Sequence, residues 1–304
     1  MLKYLLRRIL QMVPVLVLIS VIVFCFVNIS GDPTATLLPP NATIEERQIM
    51  RDALGLNEPL YIQYGIFVKN VLHGDFGTSF RYKVPALRVV MEKIPASLEL
   101  AGFSLLASVI FGITFGVLSA KAKNTPFDLV MNVLSALGRS MPNFWMGIML
   151  ILLLGVTWKI LPVSGRGNWR YLILPCTSLA IQNASRIIPL VRSNMLEIMQ
   201  QDYIRTAKSK GLKDNVVTFK HAFKNALVPV VTITALQIPT LIGGSLVTET
   251  VFSWPGLGQL VIQSIGSHDL TVVQACVFII AVITMAANLL ADLAYCLIDP
   301  RIRY

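Results

Sequence analysis

Tyr171-Leu172-Ile173-Leu174-Pro175-Cys176-Thr177-Ser178-Leu179-Ala180-Ile181-Gln182-Asn183-Ala184-Ser185 is the stretch on which the architecture turns. It holds 15 uncharged residues and stops at Arg186. A bilayer-spanning helix needs about 20 mostly apolar residues, so length alone also permits a buried core helix. The run continues as Ile187-Ile188-Pro189-Leu190-Val191. An arginine near a helix end can carry its guanidinium to the interface while its stem stays in apolar surroundings.

Five longer uncharged windows surround this run. They are Ile9 to Gly31 (23 residues), Leu100 to Ala120 (21), Ser140 to Trp158 (19), Asn225 to Thr248 (24) and Leu270 to Ala291 (22). Charge decides whether the short run joins them, because cytoplasmic loops carry an excess of Lys and Arg. Met1 to Arg8 holds Lys3, Arg7 and Arg8, and Arg186 to Lys224 holds eight Lys/Arg against three Asp/Glu. Six crossings put both segments inside, whereas five put the second outside, against the rule. The sequence therefore predicts an all-α membrane protein with six transmembrane helices and cytoplasmic N and C termini. Lys121 to Arg139, with three positive charges and one negative, reads as a cytoplasmic loop. Glu249 to Asp269, with two acids and no Lys/Arg, reads as an external one. Lys159, Arg166 and Arg170 fall in an external loop and mildly violate the rule.

Composition agrees. The chain is 55% hydrophobic and 14% charged over 304 residues, where soluble proteins carry about a quarter charged residues. The net charge of +10 lies between apolar runs, not clustered on a soluble fold as in a nucleic-acid binder. Cys25, Cys176, Cys276 and Cys296 sit in or beside apolar runs without a C-x-x-C pair, and read as small packing residues. The first apolar run is too long for a signal-peptide core, has no small-x-small cleavage site after it, and reads as a retained anchor.

Asp32 to Lys93 is an external segment with seven basic and seven acidic residues. Within it Thr43 to Leu54 reads as a helix, with Thr43 and Glu46 as a capping box and Gly55 beyond its end. Leu60 to Leu72 reads as a second helix, stopped by His73-Gly74, and Gly74-Asp75-Phe76-Gly77 as a turn. Pro95, Ser97 and Glu99 mark a helix start. Trp254-Pro255-Gly256-Leu257-Gly258 reads as a rigid external turn.

The basic segment carries the functional signal. Asp202 is placed to cap a helix over Tyr203 to Lys210. Gly211 stands where a C-cap wants a left-handed residue. Asp214 is placed to cap a second helix through Lys220 and His221 towards Asn225. A generic basic loop touching lipid headgroups accounts for the lysines, but not for two capped helices joined by one glycine. A short helix projecting from a membrane domain suits docking into a groove of a soluble partner. The dipeptide Gly-Lys never occurs, so a phosphate-binding G-x-x-x-x-G-K-[ST] loop is absent and any ATPase must be another chain.

Here the sequence resembles a family. Asp202-Tyr203-Ile204-Arg205-Thr206-Ala207-Lys208-Ser209-Lys210-Gly211-Leu212, continuing to His221-Ala222-Phe223-Lys224-Asn225-Ala226-Leu227-Val228-Pro229, is similar to the cytoplasmic "EAA" loop of bacterial ABC importer permeases. Gly31-Asp32-Pro33, Leu54-Gly55-Leu56, Gly74 to Gly77, Glu249-Thr250-Val251-Phe252, Trp254 to Gly258 and Asp299 to Tyr304 resemble the dipeptide/oligopeptide/nickel group. Arg205-Thr206-Ala207 stands where the general motif has Glu-Ala-Ala, and Pro229 lies farther from Gly211 than usual.

The resemblance implies a type I ABC importer fold and a permease subunit that translocates peptides or similar solutes across the bacterial cytoplasmic membrane. It implies a second homologous permease, two cytoplasmic ATPase subunits and an extracytoplasmic binding protein as partners, besides lipid and without nucleic acid. ATP and Mg would sit on the ATPases, with no cofactor and no catalysis on this chain. Residues 1–94 would form an anchor plus external segment and 95–298 the transmembrane domain with a coupling loop at 193–225. Residues 299–304 would be a cytoplasmic tail. The coupling residues would be Asp202, Tyr203, Arg205, Thr206, Ala207, Lys208, Gly211, Leu212 and Lys213, with Ala207 and Gly211 allowing close approach to the ATPase.

Other polar residues carry less. Asn183, Gln237, Asn288 and Asp292 are candidates for lining the pore or joining helices. Gly243-Gly244-Ser245 reads as a close-packing site. His73, His221 and His268 are scattered and form no metal-ligand set. An ion-gradient transporter, the alternative reading, wants midplane acids and repeated broken helices, and neither is evident.

Overall fold

In the computed structural model, residues 2–29, 42–53, 55–213, 216–218 and 223–298 are described, and every named element is a helix. In chain order these are α1 (Leu2–Ile29), α2 (Ile44–Ala53), α3 (Leu60–Leu72), α4 (Ala86–Met91), α5 (Ile94–Lys121) and α6 (Pro126–Ser140). They continue as α7 (Asn143–Leu150), which runs on as a π-helical stretch Ile151–Thr157, then α8 (Arg170–Ile198), α9 (Asp202–Ser209), α10 (Phe223–Val251), α11 (Leu257–Gly266) and α12 (Leu270–Ile298).

Leu6–Ile29, Ala86–Lys121 and Leu270–Leu293 are each long and apolar enough to cross a membrane. Two bent pairs raise the number to five if each pair is one span: Pro126–Ser140 with Asn143–Thr157, bent by 112°, and Pro229–Gly243 with Ser245–Val251, bent by 48°. The short uncharged run Tyr171 to Ser185 forms the first half of α8. That helix has 29 residues but carries Arg186, Arg192 and Glu197.

Residues 121–139, expected as a loop, are mostly helical. Thr125 caps α6 by accepting from the Asp128 amide at 3.5 Å, and Pro126 takes the first helical position, where its missing N–H costs nothing. Met141 is extended (φ −83°, ψ 132°), as the residue before Pro142 must be to avoid its ring.

The chain divides into two compact units. The first comprises Met1–Ala96 and Pro255–Met285. The Thr43–Glu46 capping box forms, with Glu46 N donating to Thr43 Oγ1 at 3.2 Å and Thr43 N donating to Glu46 Oε2 at 2.8 Å. Gly55 follows at φ +67°. α3 lies on α1 through a 2.8 Å hydrogen bond between Tyr64 and Ser20 and a stacked Phe24–Phe67 pair. Phe76, Val90, Leu257, Leu260, Val272 and Cys276 share its buried core. Asp269 accepts from Ser79 Oγ at 2.5 Å, Thr271 Oγ1 at 2.8 Å and Arg81 N at 3.2 Å. The expected turn at Trp254 to Gly258 is shorter than read, since Gly256 caps α11 and Leu257 opens it.

The second unit comprises Ser97–Trp254 and Ala286–Tyr304. Close packing occurs on Gly112, Gly116 and Gly138, which the sequence did not single out. A Cβ on Gly112 would lie 2.6 Å from Ile187 Cβ, on Gly116 2.6 Å from Val191 Cβ, and on Gly138 against Ser185 Oγ. Gly112 and Gly116 form a small-x-x-x-small pair that lets α5 meet α8 backbone to backbone. Gly243 has nothing within 4 Å of a Cβ; its neighbourhood is the site of the α10 bend instead. Glu249 is fully buried and accepts from Ser97 Oγ at 2.6 Å and Ser245 Oγ at 3.2 Å.

Candidate functional site

The site begins where α8 ends. Met199, Gln200 and Gln201 bond back to Met195, Glu197 and Ile198 at 2.9–3.1 Å, so the corner is a tight hydrogen-bonded turn. Gln201 is extended (φ −75°, ψ 152°) and is the N-cap of α9, without a side-chain bond. Asp202 is therefore not the cap: it sits in the first turn, where its charge favours the helix dipole. Its ion pair with Arg205, at 3.8 Å and with both side chains highly exposed, adds little.

α9 is two-faced. Ile204 (0% exposed) and Ala207 (8%) point into a core shared with Val117, Ile187, Val191, Met195, Val217, Ala226 and Val230. Tyr203, Arg205, Thr206 and Lys208 are on the exposed face. This corrects the expectation for Ala207: its small side chain lets α9 approach its own unit and does not face outward. Gly211 takes φ +77° with open space around a Cβ, and its amide donates to Lys208 O at 2.9 Å. Backbone conformation, not crowding, requires glycine there. Leu212 and Lys213 follow, both exposed. The expected cap Asp214, and Lys220 and His221 of the second helix, lie outside the described residues. Val217 is fully buried and Val216 N and Val217 N donate to Lys213 O.

The four candidate pore residues lie on three helices, Asn183 on α8, Gln237 on α10, and Asn288 and Asp292 on α12. Asn183 is buried and donates to Leu179 O of its own helix at 2.9 Å, a structural use of the amide. Gln237 is 4% exposed and neither atom of its side-chain amide meets a hydrogen-bond partner among the described residues. Asn288 and Asp292 are half-buried on α12. An apolar cavity of about 460 Å³ in the second unit, lined by Phe111, Phe115, Met131, Met141, Met146 and Ile188 among others, includes none of the four. Among the described residues no three His, Cys, Asp or Glu side chains are placed to hold a metal.

One polar cluster went unread in the sequence. Arg192 on α8 donates from Nε to Asp128 Oδ1 and from Nη2 to Asp128 Oδ2, both at 2.6 Å. Asp128 is 3% exposed. It also accepts from Ser119 Oγ at 2.5 Å, Asn124 N at 3.1 Å and Asn132 Nδ2 at 3.0 Å. A signal was available: Thr125-Pro126-Phe127-Asp128 is a capping sequence with an acid in the first turn, and that acid is the only one in an otherwise basic segment.

Comparison with known proteins places the chain. The profile described as binding-protein-dependent transport system inner membrane component matches residues 112–304. The profile for the N-terminal part of such membrane components matches residues 1–101. The oligopeptide transport system permease protein AppB of Bacillus subtilis is 39% identical, with all of both chains covered. The dipeptide transport system permease protein DppB of Alkalihalophilus pseudofirmus is 36% identical over the whole of both chains. The glutathione transport system permease protein GsiC of Escherichia coli K12 is 35% identical, again end to end. Among solved structures, the MetNI methionine ABC transporter in an inward-facing form matches 69% of this chain and 96% of its own with TM-score 0.56 at 18% identity. An amino acid ABC transporter matches 68% of this chain and 93% of its own with TM-score 0.52 at 16% identity. Those two speak to the helical fold alone.

Proposed function

From the premise that this chain belongs to the binding-protein-dependent transport system inner membrane components, we propose that it is the permease subunit of an ATP-driven importer of peptides. The observation that carries this is end-to-end similarity, at 35–39% identity, to permeases named for oligopeptides, dipeptides and glutathione. The chain supplies the passage and not the chemistry. ATP and Mg belong to partner subunits, and no residue here is assigned a catalytic role.

The full assembly in this reading contains a second homologous permease, two cytoplasmic ATPase subunits and an extracytoplasmic binding protein, all in or at a bacterial cytoplasmic membrane. Six crossings with both termini inside follow if α8 counts as a span and each bent pair counts as one. The basic excess of Met1 to Arg8 and of Arg186 to Lys224 supports that count, as do Arg186 and Arg192 in the second half of α8.

α9 is the coupling helix. Its apolar side is seated by Ile204 and Ala207, so it behaves as part of the membrane domain. Its outward residues Tyr203, Arg205, Thr206 and Lys208, with Gly211, Leu212 and Lys213 beyond, are left for the ATPase groove. ATP binding closes the ATPase pair, the seated helices are displaced with it, and the spans shift between two packings that open to opposite sides. Gln237 is the strongest of the pore candidates, because a buried amide without a partner costs about 1–3 kcal/mol unless something else pairs with it. A peptide bond offers the matching donor and acceptor.

Reconstitution by omission tests the reading. Import of a radiolabelled oligopeptide is expected only when both permeases, the ATPases and the binding protein are present. Import by this chain alone, without the ATPases, would overturn it. Cysteine labelling at Lys3 and Lys208 tests the topology: both are expected to react from the cytoplasmic side.

A further inference from the structure

We propose that the Asp128–Arg192 pair is the joint through which movement of the coupling helix reaches α5 and α6. This rests on the reading of α9 as the coupling helix and adds the residues that transmit its motion.

The geometry is specific. Arg192 stands six residues before the end of α8 at Ile198, about 9 Å along the helix axis. The corner after Ile198 is bonded back onto the last turn of α8 at each of residues 199–201. A push on α9 therefore moves the turn below Arg192. On the far side, Asp128 is tied at once to Ser119 of α5, to the Asn124 amide in the connecting turn and to Asn132 of α6. One carboxylate thus collects α5, the turn and α6, and one guanidinium grips it in a two-pronged contact that fixes angle as well as distance.

Packing alone does not require this arrangement. α5 and α6 already meet α8 through Gly112, Gly116 and Gly138. Apolar side chains in place of a buried ion pair are often neutral or stabilising for a fold. What the pair adds is register, held at the end of α8 nearest α9. The other ion pairs among the described residues do not resemble it: Arg88–Glu92 and Arg205–Asp202 have side chains 64% exposed or more, and Arg166–Glu99 is partly exposed, whereas the Asp128 side chain is 5% exposed and that of Arg192 22%.

A positioning role differs from a purely structural one in what its loss changes. The test uses the reconstituted complex of permeases, ATPases and binding protein, with ATP hydrolysis and uptake of a radiolabelled oligopeptide measured together. Two variants are compared. Arg192→Lys keeps the charge and loses the two-pronged grip. The double change Asp128→Leu with Arg192→Met replaces the pair by apolar volume. Both are expected to assemble with the ATPases, and ATP hydrolysed per peptide imported is expected to rise roughly 5- to 150-fold, the range of a typical coupling free energy. Uptake that falls only in step with the amount of assembled complex, at an unchanged ratio, would show a structural pair and overturn the proposal. If the double variant does not assemble, Arg192→Lys decides on the same ratio. Failure of the coupling-helix reading is a separate result: charge reversal on the exposed face of α9, at Arg205 and Lys208, would then leave ATPase assembly and uptake of the otherwise parental complex unchanged.

Discussion

Replacing Ala207 by glutamate should unseat α9. Ala207 is 8% exposed among Ile204, Val191, Val217 and Val230. The seat itself is modest. Burying Ile204 contributes about 1.5–3 kcal/mol and the Ala207 methyl about 0.8. That leaves roughly 2–4 kcal/mol holding α9 against its unit, before the entropy of ordering it. A carboxylate forced into the same site without a partner costs several kcal/mol. Penalty and seat are comparable, so α9 should spend much of its time detached while the spans, which do not depend on it, insert normally. Each 1.4 kcal/mol shifts the detached fraction tenfold. Trypsin cleavage after Lys208 and Lys210 in the permease alone reads this directly, because cleavage follows the open population when reclosing is fast. Cleavage should accelerate by at least about tenfold, from a loss of 1.4 kcal/mol or more, and uptake by the assembled complex should be lost. Thr206→Glu, one residue earlier on the exposed face, should leave the cleavage rate unchanged. Ala207→Glu with unaltered cleavage and normal uptake would refute the inward placement of Ala207.

Gly211→Pro removes the 2.9 Å bond from the Gly211 amide to Lys208 O and cannot adopt φ +77°, a local cost of about 3 kcal/mol. Uptake should fail with membrane insertion intact, while Gly211→Asn, which tolerates the left-handed region, retains most of it. Gly112→Ala should lower thermal stability by about 1–3 kcal/mol through the 2.6 Å approach to Ile187, whereas Gly243→Ala meets nothing and should be neutral or gain up to about 1 kcal/mol; melting of the purified protein compares the two. Burial alone would push the Asp269 carboxyl up, but hydrogen bonds from Ser79, Thr271 and the Arg81 and Phe80 amides outweigh it and hold the group below its ordinary value. A depressed folded value means the unfolded chain takes the proton first, so this stabilisation is complete above about pH 4 and fades as pH falls below it. Melting temperature from pH 7 down to pH 3 should drop less steeply for Asp269→Asn than for the parent over that last unit.

Elements whose cause lies within a few residues were legible in the sequence. The Thr43–Glu46 box, the stop at His73-Gly74 and the left-handed Gly211 are local devices, and each is where the sequence put it. The short helix α9 ahead of Gly211 was legible for the same reason, since helix ends are set over short range. Asp202 was misjudged by one position because Gln201 caps through backbone conformation without lending a side chain. Ala207 was misjudged because facing inward or outward depends on what packs against α9, and Val117, Ile187 and Ala226 come from other helices. The same limit hid the Gly112–Ile187 contact and the Arg192–Asp128 pair, whose members are 64 residues apart. Gly243 looked like a packing glycine by composition, yet only a neighbour can make it one.

The energy source of uptake tests the central claim most directly. Proteoliposomes holding the full complex would be loaded with ATP and Mg, supplied with binding protein and labelled oligopeptide, and treated separately with an ionophore and with a non-hydrolysable ATP analogue in place of ATP. Uptake is expected to survive the ionophore and stop with the analogue. Uptake that collapses with the ionophore at constant ATP, and continues when hydrolysis is blocked, would contradict it and favour an ion-driven carrier.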